Sequence, residues 1–395
     1  VKLGGKGPAL LFGHSPRVPA LFAALVNATA GVALEVDEGN RLGGGHPSIH
    51  VTPGAIAVAE ELGLGGTEVL MSIIVGYEVI SRIGTGTSVR AEIHSHGTWG
   101  TIGSAASTAR LMGFDEANTL RALNLSMSMS PANTWTPCLE GATIRNLYPG
   151  RSSFDGIMAA HLVDCGFSSI EDGPRDLYGS ILGEGFDSES VVRGLGEPGK
   201  YRIEQNYFKL HACCLYNHPV LDAVQAIRER EGFVAGQVSQ VRVVTPSIAT
   251  SMSDPAPKNM LAAKFSIPFA VASALVLGKT GVGAFQLEQL ANPQVLEMAQ
   301  KVKLIADDAM SFRRYDYPTA RASITLDNGR VIEESVIAQR GDAENPISQR
   351  ALEEKFAELS YDVLGKDRTL RVIDTVRRLD KLSNVRDLTN LLTPS

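Results

Sequence analysis

No lysine or arginine run occurs anywhere in this chain, and 43 acidic side chains outnumber 37 basic ones, leaving a formal charge of −6. A chain with that balance offers no positive track for a polyphosphate backbone, so nucleic acid is not expected as a partner. Cysteine is scarce: Cys138, Cys165, Cys213 and Cys214 show no CxxC spacing, and the adjacent pair could not bridge without strain. That excludes a disulfide scaffold and points to a reducing, cytoplasmic setting. Long apolar runs are missing too. The longest, around Val69 to Val79, is interrupted by Ser72, Gly76 and Glu78 and falls short of a bilayer span, so no membrane segment is expected. The chain opens with Val1, in what reads as the middle of a polar loop, so a processed or missing N-terminus is expected and targeting signals lie beyond reach.

What is present is an ordinary globular composition, 44% hydrophobic and 20% charged, over 395 residues. That length exceeds the size at which one core usually stops growing, so two domains are expected. From Pro53 to about Phe167 apolar residues recur at helical spacing, as in Ile56, Val58, Ala59, Leu62 and in Val69, Leu70, Ile73, Ile74, Tyr77. Stretches such as Thr101 to Gly113 are rich in alanine, glycine and serine, which lets helix axes approach closely. After about Asn206 the pattern changes. Val238 to Pro246 alternates, and Ala322 to Val336 carries two β-type runs around Asp327-Asn328-Gly329, a hairpin signal. Helical stretches at Pro219 to Glu231 and Ile267 to Leu277 lie between them. From Pro346 helical periodicity returns, with Val372, Val376, Leu379 and Leu382 on one face. The expected class is mainly α with an α+β part: an all-helical domain from residues 1–206 and 340–395, and a smaller α+β lid over residues 207–339.

Several familiar motifs fail on context. Gly194 to Gly199 matches GxGxxG, but no strand precedes it and Pro198 spoils a helix start. Gly278-Lys279-Thr280 resembles the end of a P-loop without its upstream glycine. His46 and His50 have zinc-pair spacing and His94 and His96 could chelate, yet prolines and glycines beside them argue for loops, and no cysteine or carboxylate completes a set. No cofactor and no metal are therefore expected.

Four stretches concentrate ionisable residues with glycine and proline. Leu34 to His50 (LEVDEGNRLGGGHPSIH) holds Glu35, Asp37, Glu38 and Arg41 before a glycine-rich loop and His46, offering carboxylate and imidazole for acid–base work. Ile93 to Gly103 (IHSHGTWGTIG) sets His94 ahead of a helix start, whose dipole would lower the imidazole's pKa and keep it basic and neutral. Ile144 to Ser153 (IRNLYPGRSS) carries Arg145 and Arg151, a carboxylate clamp if both face one ligand. Phe208 to His218 (FKLHACCLYNH) places Lys209 and His211 at the expected domain joint, where ligand sites are common. Taken singly, each could equally be a solvated loop, a locally satisfied histidine, surface arginines or a helix cap.

In order along the chain, with Gly13-His14-Ser15-Pro16 before them and Asn345-Pro346 after, these stretches resemble the MmgE/PrpD family, which includes 2-methylcitrate dehydratase, cis-aconitate decarboxylase and iminodisuccinate epimerase. The resemblance implies a helical domain built from both chain ends, an α+β lid, an interdomain site and a homodimer. It also implies further N-terminal helices before Gly13. The family's site histidines fall on His46 and His94, its later lysine on Lys209, and its acid on Glu35 or Asp37. Its other lysine falls on Arg145, and a tyrosine of decarboxylase-like members falls on Phe269.

The expectation is a cofactor-independent lyase or isomerase that takes the proton α to a carboxylate of a small di- or tricarboxylate, with dehydration of the 2-methylcitrate type favoured. His94, Glu35 or Asp37 would take the proton. Lys209, Arg145, Arg151, Arg41 and His211 would hold the substrate. His46 would protonate a leaving hydroxyl, or return a proton to the opposite face in an epimerase. A noncatalytic polycarboxylate-binding homologue would keep the cations without the chemistry.

Overall fold

The computed structural model describes residues 4–313 and 315–393. Its helical domain is led by Ala20–Val32, Pro47–Leu62, Gly66–Gly86, Gly100–Leu111, Glu116–Met127 and Leu147–Asp164, which pack on one another in a single layered bundle. The small residues set the spacing. A Cβ on Gly103 would lie 2.1 Å from Cγ1 of Ile80, and one on Gly156 would lie 2.5 Å from Cβ of Ser104, so any larger residue would force these helices apart. Among the described residues one helix, Gly66–Gly86, is long and apolar enough to cross a membrane by length and composition, with a mean hydropathy of 1.3. Most of that stretch is covered by neighbouring helices.

The α+β unit carries a four-stranded sheet in the order 331–336, 320–326, 238–245, 302–306, with helices His218–Glu231 and Ile267–Leu277 packed on it. The hairpin turns at Gly329, whose φ of +83° needs a residue without a Cβ, and pairs Val331 with Thr325. Its core includes Val241, Val243, Ile324, Phe269 and Phe285, all fully buried.

The chain then returns through Gln349–Leu364 and Lys366–Arg377. Beyond them the backbone N–H of Val385 donates to Leu64, Gly13 donates to Leu392, and the Thr389 hydroxyl donates to Glu60 at 2.5 Å, tying the C-terminal tail to the first helices. Val372 and Leu379 join Leu388 and Leu391 in a small core there, while Val376 stays half exposed.

In the third ionisable stretch the sequence places Tyr148-Pro149-Gly150 ahead of a helix from Phe154 to Cys165, and the structure starts that helix seven residues earlier. Residues Thr143–Asn146 form a 3-10 turn and the α-helix begins at Leu147, so Tyr148-Pro149-Gly150 lies inside the first turn. Proline is tolerated there because its missing N–H is one the first turn leaves unpaired anyway.

Candidate active site

Two three-residue strands bring distant parts of the sequence together. Glu38–Asn40 runs antiparallel to Asn206–Phe208, with Glu38 opposite Phe208, and the Lys209 N–H continues the ladder to Asp37 O at 3.2 Å. One step beyond the ladder on either strand, the side chains of Asp37 and Lys209 therefore meet. Lys209 Nζ lies 2.8 Å from Asp37 Oδ1 and 2.8 Å from Glu35 Oε2. Arg145 ion-pairs with the other oxygen of Glu35, and His46 Nδ1 lies 3.1 Å from Asp37 Oδ2. The result is a buried alternation of charge: Arg145, Glu35, Lys209, Asp37, His46.

Burial alone would push both carboxyls up, but Arg145 and Lys209 beside Glu35 hold it below its usual range, and Lys209 and His46 hold Asp37 well below. Burial likewise opposes the charge on Lys209, and Asp37 and Glu35 overcome it, so the ammonium stays protonated. Glu35 has φ +56°, the one positive φ of a non-glycine among the described residues, a conformation that costs energy and that its two ion pairs hold in place.

A cavity of about 400 Å³ opens against this chain of charge and is lined by Glu35, His46, His94 and Arg145 from the helical domain and by Cys214, Tyr216 and Phe265 from the α+β unit. Arg145 lies across the Phe265 ring, 5.2 Å from its centroid. Lys209 and Asp37 stand behind the cavity wall, so the lysine's role is to hold the two carboxylates and not to touch a ligand directly.

The imidazoles occupy defined states. His46 Nδ1 is 2.7 Å from the Glu38 carbonyl, which can only accept, so Nδ1 carries a proton and Nε2 is the ring atom that can take one up or give one away. His94 is the reverse. The His96 backbone N–H donates to its Nδ1 at 2.9 Å, so the neutral ring carries its proton on Nε2, which has no partner among the described residues. Burial, with Arg145 and His46 nearby, depresses the His94 pKa well below the usual histidine value. The cause expected from the sequence, the following helix start, is not the operative one: that helix begins only at Gly100, six residues on. Trp135 lies against the His94 ring at 4.0 Å between centroids.

His50 and His96 complete a cluster of four imidazoles that the sequence had offered only as possible chelators. The His96 ring centroid is 4.8 Å from those of His46 and His50 and 5.7 Å from that of His94. His50 accepts from the Gly97 N–H and bonds Ser152 Oγ at 2.5 Å, and burial pushes its pKa down to about 3. Among the described residues no group of three histidine, cysteine, aspartate or glutamate side chains converges as metal ligands.

Besides Lys209, two expected substrate contacts, Arg151 and His211, lie away from the cavity, and a third, Arg41, lines it but is committed to the fold. Arg151 sits on the outer face of the helix Leu147–Asp164, more than half exposed, against Asp155 at 3.4 Å, because that helix starts earlier than its sequence suggests. His211 is inside the α+β unit, 2.7 Å from Thr280 Oγ1 and 3.1 Å from Asp222 Oδ1. Asp222 in turn accepts from the Arg340 N–H, so this set fastens the joint to residue 340. Arg41 touches the cavity, but its Nε donates to Phe312 O at 2.6 Å and it pairs with Asp342 at 3.3 Å, which fixes it as a brace between the two parts of the fold. Phe269 is in the α+β core, 6.3 Å from Phe285, and does not line the cavity. Trp135, Tyr207 and Arg313, which do, were not singled out by any motif.

Two sequence families match this architecture: the MmgE/PrpD N-terminal domain over residues 1–179 and the MmgE/PrpD C-terminal domain over residues 211–381. Among curated proteins, a cis-aconitate decarboxylase of Mus musculus is 28% identical over 95% of this chain and 79% of its own length. One of Homo sapiens is 27% identical over 95% and 80%, and one of Aspergillus terreus is 23% identical over 98% and 84%.

Proposed function

The chain belongs to the MmgE/PrpD family, and from that premise and the geometry of the cavity we propose that it is a lyase abstracting the proton α to a carboxylate of a small di- or tricarboxylic acid, with loss of water as the favoured outcome. The observation that carries this reading is the opposite anchoring of two rings: His46 is held through Nδ1–H with Asp37 beside it, which leaves Nε2 to work as the base, while His94 accepts at Nδ1 and offers Nε2–H.

His46 Nε2 takes the proton from the carbon, and the resulting imidazolium keeps Nδ1–H on the Glu38 carbonyl, with the negative charge of Asp37, 3.1 Å away, to stabilise it. As the C–H bond breaks, charge moves onto the adjacent carboxylate, where His94 Nε2–H and the Arg145 guanidinium meet it. The C–O bond to the neighbouring hydroxyl then breaks, a C=C bond forms, and the imidazolium gives its proton to the departing oxygen. Water leaves and His46 is neutral again, so one residue closes the proton balance.

Decarboxylation, the activity named for the curated relatives, would use the same pair from the protonated side: carbon dioxide leaves and the His46 imidazolium protonates the carbon. Epimerisation is the weaker reading. It calls for an acid facing His46 to return the proton, and a neutral His94, its Nδ1 taken by the His96 N–H, could give up Nε2–H only by becoming an imidazolate.

The test is nuclear magnetic resonance in heavy water with a panel of small di- and tricarboxylates. The reading expects deuterium at the α-carbon of at least one, abolished by His46→Ala. A folded wild-type protein that binds these acids yet exchanges no proton would leave a noncatalytic homologue as the better account.

A further inference from the structure

The cations of the cavity wall are almost all committed. Arg145 is paired with Glu35, Arg41 with Asp342, and Arg90, at the rim, stands 3.9 Å from Glu184 and donates to Ile181 O at 2.9 Å. Lys209, behind the wall, serves two carboxylates. Arg313 differs. Among the described residues it lines the cavity with no acidic partner, and its guanidinium has one long contact, Nη2 to the Gly84 carbonyl at 3.4 Å. It comes from the loop between strands Val302–Ala306 and Ala320–Leu326 of the α+β unit, and Arg41 pins that loop through Phe312 O.

The helical domain makes room for it. Gly44, two residues before His46, has φ +63°, and a Cβ there would lie 2.9 Å from Arg313 Nη2. The guanidinium thus rests on the glycine loop that carries the proposed base, at the solvent-facing end of the cavity, while Arg145 and His94 define the buried end.

We propose that Arg313 is the anchor for a second carboxylate of the substrate, distal to the reacting carbon. The site then selects acids with at least two carboxylates, the inner one meeting Arg145 and His94 and the outer one Arg313. This rests on the α-carboxylate reading above, but it concerns binding and can be separated from the chemistry. A monocarboxylate would fill the inner half and leave Arg313 idle. A guanidinium suits the task because its fork donates two parallel hydrogen bonds to a carboxylate.

Both tryptophans of the chain, Trp99 and Trp135, line this cavity, so their fluorescence reports its occupancy. Wild-type protein, Arg313→Gln, Arg313→Lys and the outward control Arg151→Gln would be titrated with succinate, tricarballylate and butyrate. Arg313→Gln should weaken succinate and tricarballylate by roughly tenfold or more, the worth of one charge-assisted pair, and leave butyrate unchanged. Arg313→Lys should fall between, and Arg151→Gln should match wild type. The anchor is overturned if Arg313→Gln binds succinate as wild type does, if it loses succinate and butyrate alike, or if wild type binds neither polycarboxylate. Deuterium exchange on the same samples separates the two claims. Arg313-dependent binding without exchange sinks the proposed chemistry alone, and exchange with Arg313-indifferent binding sinks the anchor alone.

Discussion

Oδ2 of Asp37 lies 3.1 Å from Nδ1 of His46, while Oδ1 of the same carboxylate accepts from Lys209 at 2.8 Å. The carboxylate is thus held by the Lys209 ammonium on one side and faces, on the other, the ring proposed to carry the proton during turnover. Asp37→Asn should keep the ring in place, because the Glu38 carbonyl still fixes Nδ1–H, yet remove the charge that stabilises the imidazolium. We expect kcat to fall about a hundred- to ten-thousandfold with a smaller change in KM. An Asp37→Asn enzyme with wild-type kcat would show that His46 is not the group that charges.

His94 is assigned as a donor, and that assignment separates two substitutions. Glutamine can reach with an amide N–H where Nε2–H now stands, whereas phenylalanine fills the space without a donor. His94→Gln should retain activity within about tenfold of wild type, and His94→Phe should lose about a hundred- to a thousandfold, as for removal of one oxyanion donor. Equal loss in both would point back to His94 as a base.

Lys209 is fully buried between Glu35 and Asp37, so its removal strands two buried charges. Lys209→Met should cost about 3–5 kcal/mol in urea unfolding, the range for breaking one member of a buried ion pair. Adding Glu35→Gln and Asp37→Asn should return much of it, though not activity. A triple variant no more stable than Lys209→Met would show that the lysine stem's packing matters more than its charge.

The residues that converge here, His46, His94, Arg145, Lys209, Glu35 and Asp37, are visible in the sequence as ionisable groups set among glycine and proline. Their meeting is harder to see. It depends on two three-residue strands too short to show alternation, and on a left-handed Glu35 that no pattern marks. Arg151 misled because Pro149 looks like a helix boundary but sits in the first turn, which turns the arginine outward. His211 lies two residues past Lys209 and faces the opposite way, into Thr280 and Asp222. The proton positions on His46 and His94 could not be read at all, because a backbone carbonyl and a backbone N–H set them, and those belong to the fold.

The buried imidazoles also fix how stability responds to acid. Burial depresses the pKa of His94, His96 and His218 well below the usual histidine value and takes His50 down to about 3. Each of these groups is neutral in the folded protein near pH 5.5 but protonated when unfolded, so its contribution is present above about pH 6.5 and is lost as pH falls. Glu38 acts oppositely. Burial raises it to about 8 against the Ser48 N–H and Tyr77 hydroxyl bonds, so its contribution is present below about pH 4.5 and is lost as pH rises toward 8. Near pH 5.5 the four imidazoles gain protons on unfolding while Glu38 releases one, so the balance is net uptake and stability falls as the pH is lowered. Urea midpoints measured from pH 6.5 to 5 should therefore fall steeply, and Glu38→Gln should steepen the fall by about one proton because the opposing group is gone. Midpoints that hold steady or rise over that interval would mean the imidazoles are charged inside the fold, and with that the neutral donor assigned to His94 would be lost.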